Sequence, residues 1–197
     1  MFIAMGTMAG GAKAKVDLDK AFETPPTAEE WHAMVGEMKN NSSGGMTGCS
    51  YNMIKCWPVE ISTAVYNCLV RCWMDKTLPV AWKWRWLIPI PKKAVTSIPD
   101  ITDLRPLILV EAVRKIWSKL ILRKMQHVWR QSEPFDDGQN GFLTGRGTET
   151  AALIHLGILE EMRERMQELH MSSWDMTRAF DSVSKNVMRL AWSRLGV

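Results

Sequence analysis

A chain of 197 residues with 46% hydrophobic and 23% charged residues is long enough to bury roughly 70% of its unfolded surface, which excludes collagen, wholesale disorder and a membrane bundle. The net charge of +4 conceals an uneven distribution, since 14 basic and five acidic residues fall between Lys55 and Ser132. A basic block of that size suits a polyanion partner or a solvated helix face, and charge alone does not choose between them.

The N-terminal stretch Met1 to Gly11 is apolar and small but lacks a basic start, with Lys13 and Lys15 following it. It makes a poor signal peptide, and residues 1–26 read as a flexible leader. Thr27 and Glu30 form a capping-box pattern ahead of Trp31, Met34, Val35 and Met38, predicting a short helix. The Gly- and Ser-rich stretch Asn40 to Gly48 reads as a connector, or as backbone that something approaches closely. Pro58 suits the first turn of a helix carrying Ile61, Val65, Leu69, Cys72 and Trp73, stopped by Leu78 and Pro79. From Trp82 to Ile90, Trp84, Trp86, Ile88 and Ile90 alternate with Arg85, Leu87 and Pro89, as in a strand near a sheet edge. The shared face of Trp84, Trp86, Ile88 and Ile90 predicts a core position for both tryptophans.

Pro91 to Asp103 reads as a loop and Leu107 to Val110 as a second strand. Glu111 then opens a long amphipathic helix with Val113, Ile116, Trp117, Leu120, Ile121 and Met125 inward and a strongly basic opposite side. Gln131 to Gly147 is a glycine-containing loop, after which Thr148 is expected to cap a helix with Leu153, Leu156, Leu159, Met162, Met166 and Leu169 on its apolar positions. Met171 to Met176 is a third strand candidate. Ser184 caps a last helix, Val187 to Leu195, closed by Gly196. No run approaches the ~18 apolar residues needed to cross a bilayer, so no membrane is expected as a partner. Cys49, Cys56, Cys68 and Cys72 are too irregularly spaced for a disulfide framework or zinc ribbon and read as reduced, mostly buried thiols of an intracellular protein, cytoplasmic or nuclear.

The sharpest local feature is Trp174, Asp175, Met176, Thr177, Arg178, Ala179, Phe180, Asp181, Ser182, Val183. A carboxylate projected from the end of a strand suits Mg²⁺, because a hard cation takes a fixed oxygen ligand while keeping positions open for phosphate and water. Alone the pattern is weak, as a strand-end Asp more often serves a turn or a cap.

The stretch WDMTRAFDSV resembles the first palm carboxylate motif of reverse transcriptases, particularly those of LINE-like, non-LTR retrotransposons. Four upstream stretches resemble the same family in the right order: KNNSSGGMTGCSYNMIK from Lys39, LPVAWKWRWLIPIPKK from Leu78, DLRPLILVEAVRKIWSKLILRKM from Asp103 and QNGFLTGRGTETA from Gln139. The resemblance implies an α/β, mostly helical fold, with a fingers-like region over 27–168 and the start of a right-hand polymerase palm over 169–197. It implies that Asp175 and the Met176 carbonyl hold a metal ion, Mg²⁺ or Mn²⁺, and that Phe180 crowds the sugar 2′ position. Arg105 matches the arginine that contacts the incoming triphosphate, and Lys92 or Lys93 matches a second phosphate-binding cation. Gln139, Gly141, Phe142, Gly145 and Arg146 match the block before the palm, where packing and template-backbone contacts are expected. The basic helix residues Lys119 and Arg123 are further expected phosphate contacts. The implied partners are an RNA template, a DNA primer and deoxynucleoside triphosphates.

Two departures qualify the resemblance. Ser172 and Ser173 stand where an apolar strand is expected. A second metal-binding pair, an aromatic residue, any residue and two aspartates, does not follow Asp175 within the 197 residues; Asp136 and Asp137 after Phe135 precede it and lie in a loop. Two divalent ions ~3.5–4 Å apart need more than one carboxylate, so these residues are expected to lack polymerase activity without a further palm and thumb as folding partner. A non-catalytic nucleic-acid-binding remnant is the alternative reading.

Overall fold

The computed structural model describes residues 18–92, 100–132, 135, 138–176 and 182–195. Among them the chain is mostly helical, with one two-stranded sheet, which is compatible with the α/β class. The helices are α1 (Leu18–Phe22), α2 (Ala28–Glu37), α3 (Tyr51–Lys55), α4 (Val59–Met74), α5 (Ala112–Ser132), α6 (Thr148–Glu164) and α7 (Lys185–Arg194), and the strands are β1 (Trp86–Pro91) and β2 (Leu104–Leu109). The chain divides into two compact units, a central one from Lys20 to Gln126 and a terminal one combining Met1–Asp19 with His127–Val197. That boundary falls within α5 and concerns packing; it does not bear on the division expected from the sequence near residue 169.

The central unit holds the core. Its α2 begins as the sequence predicts: Thr27 N–H donates to Glu30 Oε2 at 2.8 Å and Glu30 N–H to Thr27 Oγ1 at 3.2 Å, satisfying two N–H groups that a helix start leaves open. Trp31 and Met34 are fully buried from this helix, against Ile54 of α3, Leu69 of α4 and Ile116, Trp117 and Leu120 of α5. The indole N–H of Trp31 donates to the buried Ser62 hydroxyl at 3.1 Å, so the largest core side chain leaves no polar atom unpaired. The inward positions of α5 agree with its periodicity: Ile116, Trp117, Leu120 and Met125 are buried, with Val113 and Ile121 packed at the margin. The helix α3 was not predicted, although its N-cap Ser50, accepting from Met53 N–H at 3.4 Å, is a recognisable signal.

Residues 20–26, read from the sequence as part of a flexible leader, are tied down. Lys124 Nζ donates to the carbonyls of Ala21 and Thr24 at 3.2 and 2.7 Å, Tyr66 donates its hydroxyl proton to the Pro26 carbonyl at 3.1 Å, and Phe22 stacks on Trp73. Three long-range anchors hold backbone that has few sequence signals of its own.

The two strands pair antiparallel, with Trp86 opposite Leu109, Pro89 opposite Pro106 and Ile90 opposite Arg105. Antiparallel pairs alternate between those that exchange ladder bonds and those whose N–H groups point outward. Pro89 and Pro106 have no N–H, so they occupy outward-pointing positions and the ladder runs through Trp86–Leu109, Ile88–Leu107 and Ile90–Arg105. The Lys92 N–H to Asp103 carbonyl bond of 2.9 Å continues that alternation. The prolines thereby remove N–H groups from both outer edges, which blunts pairing with other strands.

Trp84 and Trp86 are not core residues: they are 65% and 54% exposed. A two-stranded ribbon has two faces, and among the described residues no second layer covers either one; every residue of β1 is exposed. The thiols also differ from expectation, since Cys56 and Cys68 are exposed and Cys49 and Cys72 half-buried, all four free.

In the terminal unit, Leu18 and Trp129 are the buried apolar side chains among the described residues. Trp129 donates its indole N–H to the Leu195 carbonyl at 3.3 Å and meets Phe135 edge-on. The α6 start is corrected by one residue: Gly147 is the N-cap and Thr148 the first helical residue, with no side-chain cap. Its end comes earlier than the apolar pattern to Leu169 suggests, because Met166 turns left-handed (φ 51°) while its N–H donates to Arg163 O and that of Gln167 to Met162 O. These two bonds close the helix in a Schellman motif with methionine where glycine is usual. The Ser184 cap holds, accepting from Val187 N–H at 3.2 Å; Gly196 lies outside the described residues. Met171 to Met176 is irregular rather than a strand. The serines at 172 and 173 bring no apolar face there, and among the described residues no strand lies alongside to share a ladder. No described helix is long and apolar enough to cross a membrane.

Candidate nucleic-acid interface

The sequence-predicted site residues fall on both units. On the central unit, Arg105 stands on β2 and Lys92 immediately follows β1, at the same end of the ribbon: Arg105 is opposite Ile90, and the next pair outward of the same class is Lys92–Asp103. Side chains two apart on a strand share a face, as do directly opposed ones. The ribbon therefore brings two cations from separate sequence blocks to one end. Arg105 is exposed and makes no ion pair among the described residues, Asp103 included. Lys92 Nζ donates to the Thr102 carbonyl at 2.6 Å, one of its three donors. Lys93 lies outside the described residues.

The ribbon is joined to the core through a polar clasp that the sequence does not advertise. Glu111 follows β2, and its carbonyl accepts the first bond of α5 from Lys115 N–H at 3.0 Å. Its carboxylate is buried and accepts from Thr47 N–H at 3.0 Å and from the Thr47 hydroxyl at 2.6 Å. Two bonds from one residue satisfy a carboxylate that would otherwise be costly to bury. The glycine loop explains itself here. A Cβ on Gly45 would sit 2.7 Å from Glu111 N and 2.8 Å from its Cα, and one on Gly44 would sit 2.6 Å from the Gly48 carbonyl carbon. Burial, and then the Glu111 charge, push the Cys49 thiol above its ordinary range.

Much of the basic block is committed internally. Arg123 grips Glu37 with both ends of its fork, Nη1–Oε1 at 3.1 Å and Nη2–Oε2 at 2.6 Å, which holds the Glu37 carboxyl below its usual range and raises the guanidinium. Arg114 donates to the Trp82 carbonyl at 2.7 Å, and Lys55 to the Met38 carbonyl at 2.6 Å and to Asn40 Oδ1 at 2.9 Å. Lys119, exposed, approaches Met38 Sδ at 3.9 Å. Of the expected helix contacts, Lys119 remains accessible while Arg123 is engaged by a carboxylate. Lys83 and Arg85 flank the exposed Trp84 just before β1, adding two cations beside an open aromatic face.

On the terminal unit, Gln139 and Arg146 belong to one loop closure. Gln139 Nε2 donates to the Gly141 carbonyl at 2.9 Å and Arg146 Nη1 to the Gln139 carbonyl at 3.2 Å. Phe142 (φ 63°) and Gly145 (φ 81°) supply left-handed turns, and the Phe142 ring projects into solvent. Asp175 and Met176 are exposed on the irregular stretch, and Trp174 beside them donates its indole N–H to Ser172 Oγ at 3.0 Å. Phe180, Asp181, Asp136 and Asp137 lie outside the described residues. Among the described residues no three of His, Cys, Asp and Glu converge as a metal site. A single exposed carboxylate does not fit a pair of divalent ions, and no metal-dependent step is assigned to it.

No protein-family model matches this chain, and no curated protein matches it either.

Proposed function

We propose that the chain is the fingers and first palm segment of an RNA-directed DNA polymerase, a reverse transcriptase of the LINE-like, non-LTR class, and that its own contribution is to bind template–primer and nucleotide phosphates. The reading rests on five sequence blocks in family order. The observation that supports it most directly is the ribbon end, where Lys92 and Arg105, drawn from two of those blocks, meet by strand register. An arginine offers a phosphate two parallel N–H donors, and a lysine adds a compact charge beside it. Neutralising phosphate charge is the main demand of nucleotidyl transfer, and this pair answers that demand before any chemistry at Asp175. In the same reading Asp175 and the Met176 carbonyl are ligands for Mg²⁺ or Mn²⁺ that require further carboxylates, and Phe180 faces the sugar; the 197 residues are not expected to extend a primer.

The test is fluorescence anisotropy of a labelled DNA primer on an RNA template, titrated with the 197-residue chain at several salt concentrations. Phosphate contacts release counterions, so affinity is expected to fall steeply between about 50 and 200 mM salt. With a labelled deoxynucleoside triphosphate titrated in the same way, Arg105→Ala and Lys92→Ala are each expected to weaken binding severalfold and to lower the salt slope by about one, while Asp175→Ala leaves the template–primer slope unchanged. Salt-independent binding, or slopes unaffected by both cation variants, would overturn the proposal.

A further inference from the structure

The central unit contains a cavity of about 330 Å³ at the C-terminal end of α4, within the size range of small-molecule pockets, roughly 300–1,000 Å³. We propose that it is a binding site for a small, flat aromatic acid; the inference does not rest on the nucleic-acid reading. Its inner wall is Leu69 and Trp117, 3% and 4% exposed. The remaining aromatic wall is already arranged in the two geometries that rings prefer. Trp73 stacks on Phe22 at 5.6 Å and 23° and meets Trp117 edge-on at 6.0 Å and 84°. A further flat ring entering beside them finds both ring faces and ring edges to pack on, which an alkyl chain does not exploit.

The mouth selects the charge. Among the described residues, Lys76 is the one charged residue lining the cavity, and no carboxylate lines it. Its backbone is held left-handed (φ 51°) in a Schellman closure of α4, with Lys76 N–H donating to Trp73 O at 3.1 Å and Thr77 N–H to Cys72 O at 2.9 Å. The Lys76 backbone is therefore fixed at the opening, with its side chain exposed. Lys76 makes no ion pair among the described residues, and the adjacent Asp75 is directed to Arg71, 3.8 Å away on the preceding turn. A cationic ligand would meet repulsion, and a neutral one would leave the ammonium unused. An aromatic carboxylate places its ring among the indoles and its charge on Lys76.

Cys72 also lines this cavity, half-buried, while Cys68, one turn earlier on α4, is exposed. The pair supplies an internal reporter. With naphthalene-2-carboxylate as probe and the full 197-residue chain, the alkylation rates of Cys72 and Cys68 by iodoacetamide are followed by peptide mass spectrometry. Saturable slowing of Cys72 by severalfold, with Cys68 unchanged, is expected. Lys76→Met is expected to raise the concentration needed by about tenfold, the scale of one charge-assisted hydrogen bond, without altering protection by the neutral naphthalene-2-methanol. No selective protection at millimolar probe would overturn the site. Equal protection by decanoate would overturn the aromatic class, and an unchanged response in Lys76→Met would overturn the acid.

Discussion

Lys55, Lys92, Arg114 and Lys124 each hold a backbone carbonyl, at 2.6 to 3.2 Å, and Arg123 holds the Glu37 carboxylate. A basic block can therefore arise from cations that close loops onto helices as much as from a surface prepared for phosphate; among the described residues, the cations near the ribbon that stay available are Lys83, Arg85 and Arg105, with Lys92 keeping two of its three donors. The Arg123–Glu37 pair has a pH signature. The Glu37 carboxyl titrates lower when folded, chiefly through the bonds from Arg123, so its contribution is present above the ordinary glutamate range and lost as pH falls through the folded value. Thermal melts of the chain and of Glu37→Gln are expected to differ at pH 7, with the unmodified chain the more stable, and to converge as the pH falls below the ordinary glutamate range. The pair is exposed, so the gap should also shrink with added salt.

Among the elements, the clasp between the 44–48 loop and the start of α5 governs how the ribbon meets the core. Glu111 and Thr47 are 64 residues apart in sequence, and their contact lies where β2 becomes α5. Glu111→Ala would remove the acceptor of the Thr47 N–H and hydroxyl and unfasten the loop from the start of α5, a loss of about 1–3 kcal/mol. Gly45→Ala is expected to destabilise by about 1–3 kcal/mol, because its methyl group would overlap the Glu111 backbone. Gly36→Ala, where an added methyl group meets nothing within 4 Å, is the matched control and is expected to be neutral or slightly stabilising. Urea denaturation of the three variants measures all of this; equal stability of Gly45→Ala and Gly36→Ala would refute the clasp.

At the scale of the whole molecule, the buried apolar side chains of the described residues are concentrated in the central unit. The described part of the terminal unit leaves apolar side chains of α6 (Leu153, Ile154, Leu156) and α7 (Val187, Met188, Leu190) in contact with water. Each carries up to ~25 cal/mol per Å² of unfavourable hydration, and contiguous faces of this kind mark interaction surfaces or aggregation sites. The isolated chain is expected to self-associate or to bind hydrophobic dyes. Hydrogen exchange should show protected amides in α2, α4 and α5 and rapid exchange in α6 and α7. One sharp calorimetric transition from a soluble monomer, with uniform protection, would contradict this.

How much was legible follows from the range of the interactions. Thr27 with Glu30, Ser184 with Val187 and the inward stripe of α5 were readable because their partners lie within one or two helical turns, where spacing dictates geometry. The ribbon was readable as two apolar runs, though not that Trp84 and Trp86 would face water, since periodicity says which side chains share a face and not what covers it. The Met171–Met176 stretch failed as a strand for the related reason that a strand exists only with a neighbour. Nothing local marks Glu111 as the partner of Thr47, Lys124 as the anchor of residues 21–24, or Lys76 as the mouth of an aromatic cavity. Residue order thus settled α2, α4, α5 and α7, the Thr27 and Ser184 caps and the two apolar runs of the ribbon. Three-dimensional packing settled which cations are occupied, which tryptophans are open and where the clasp closes, because these contacts join segments brought together only when the core excludes water.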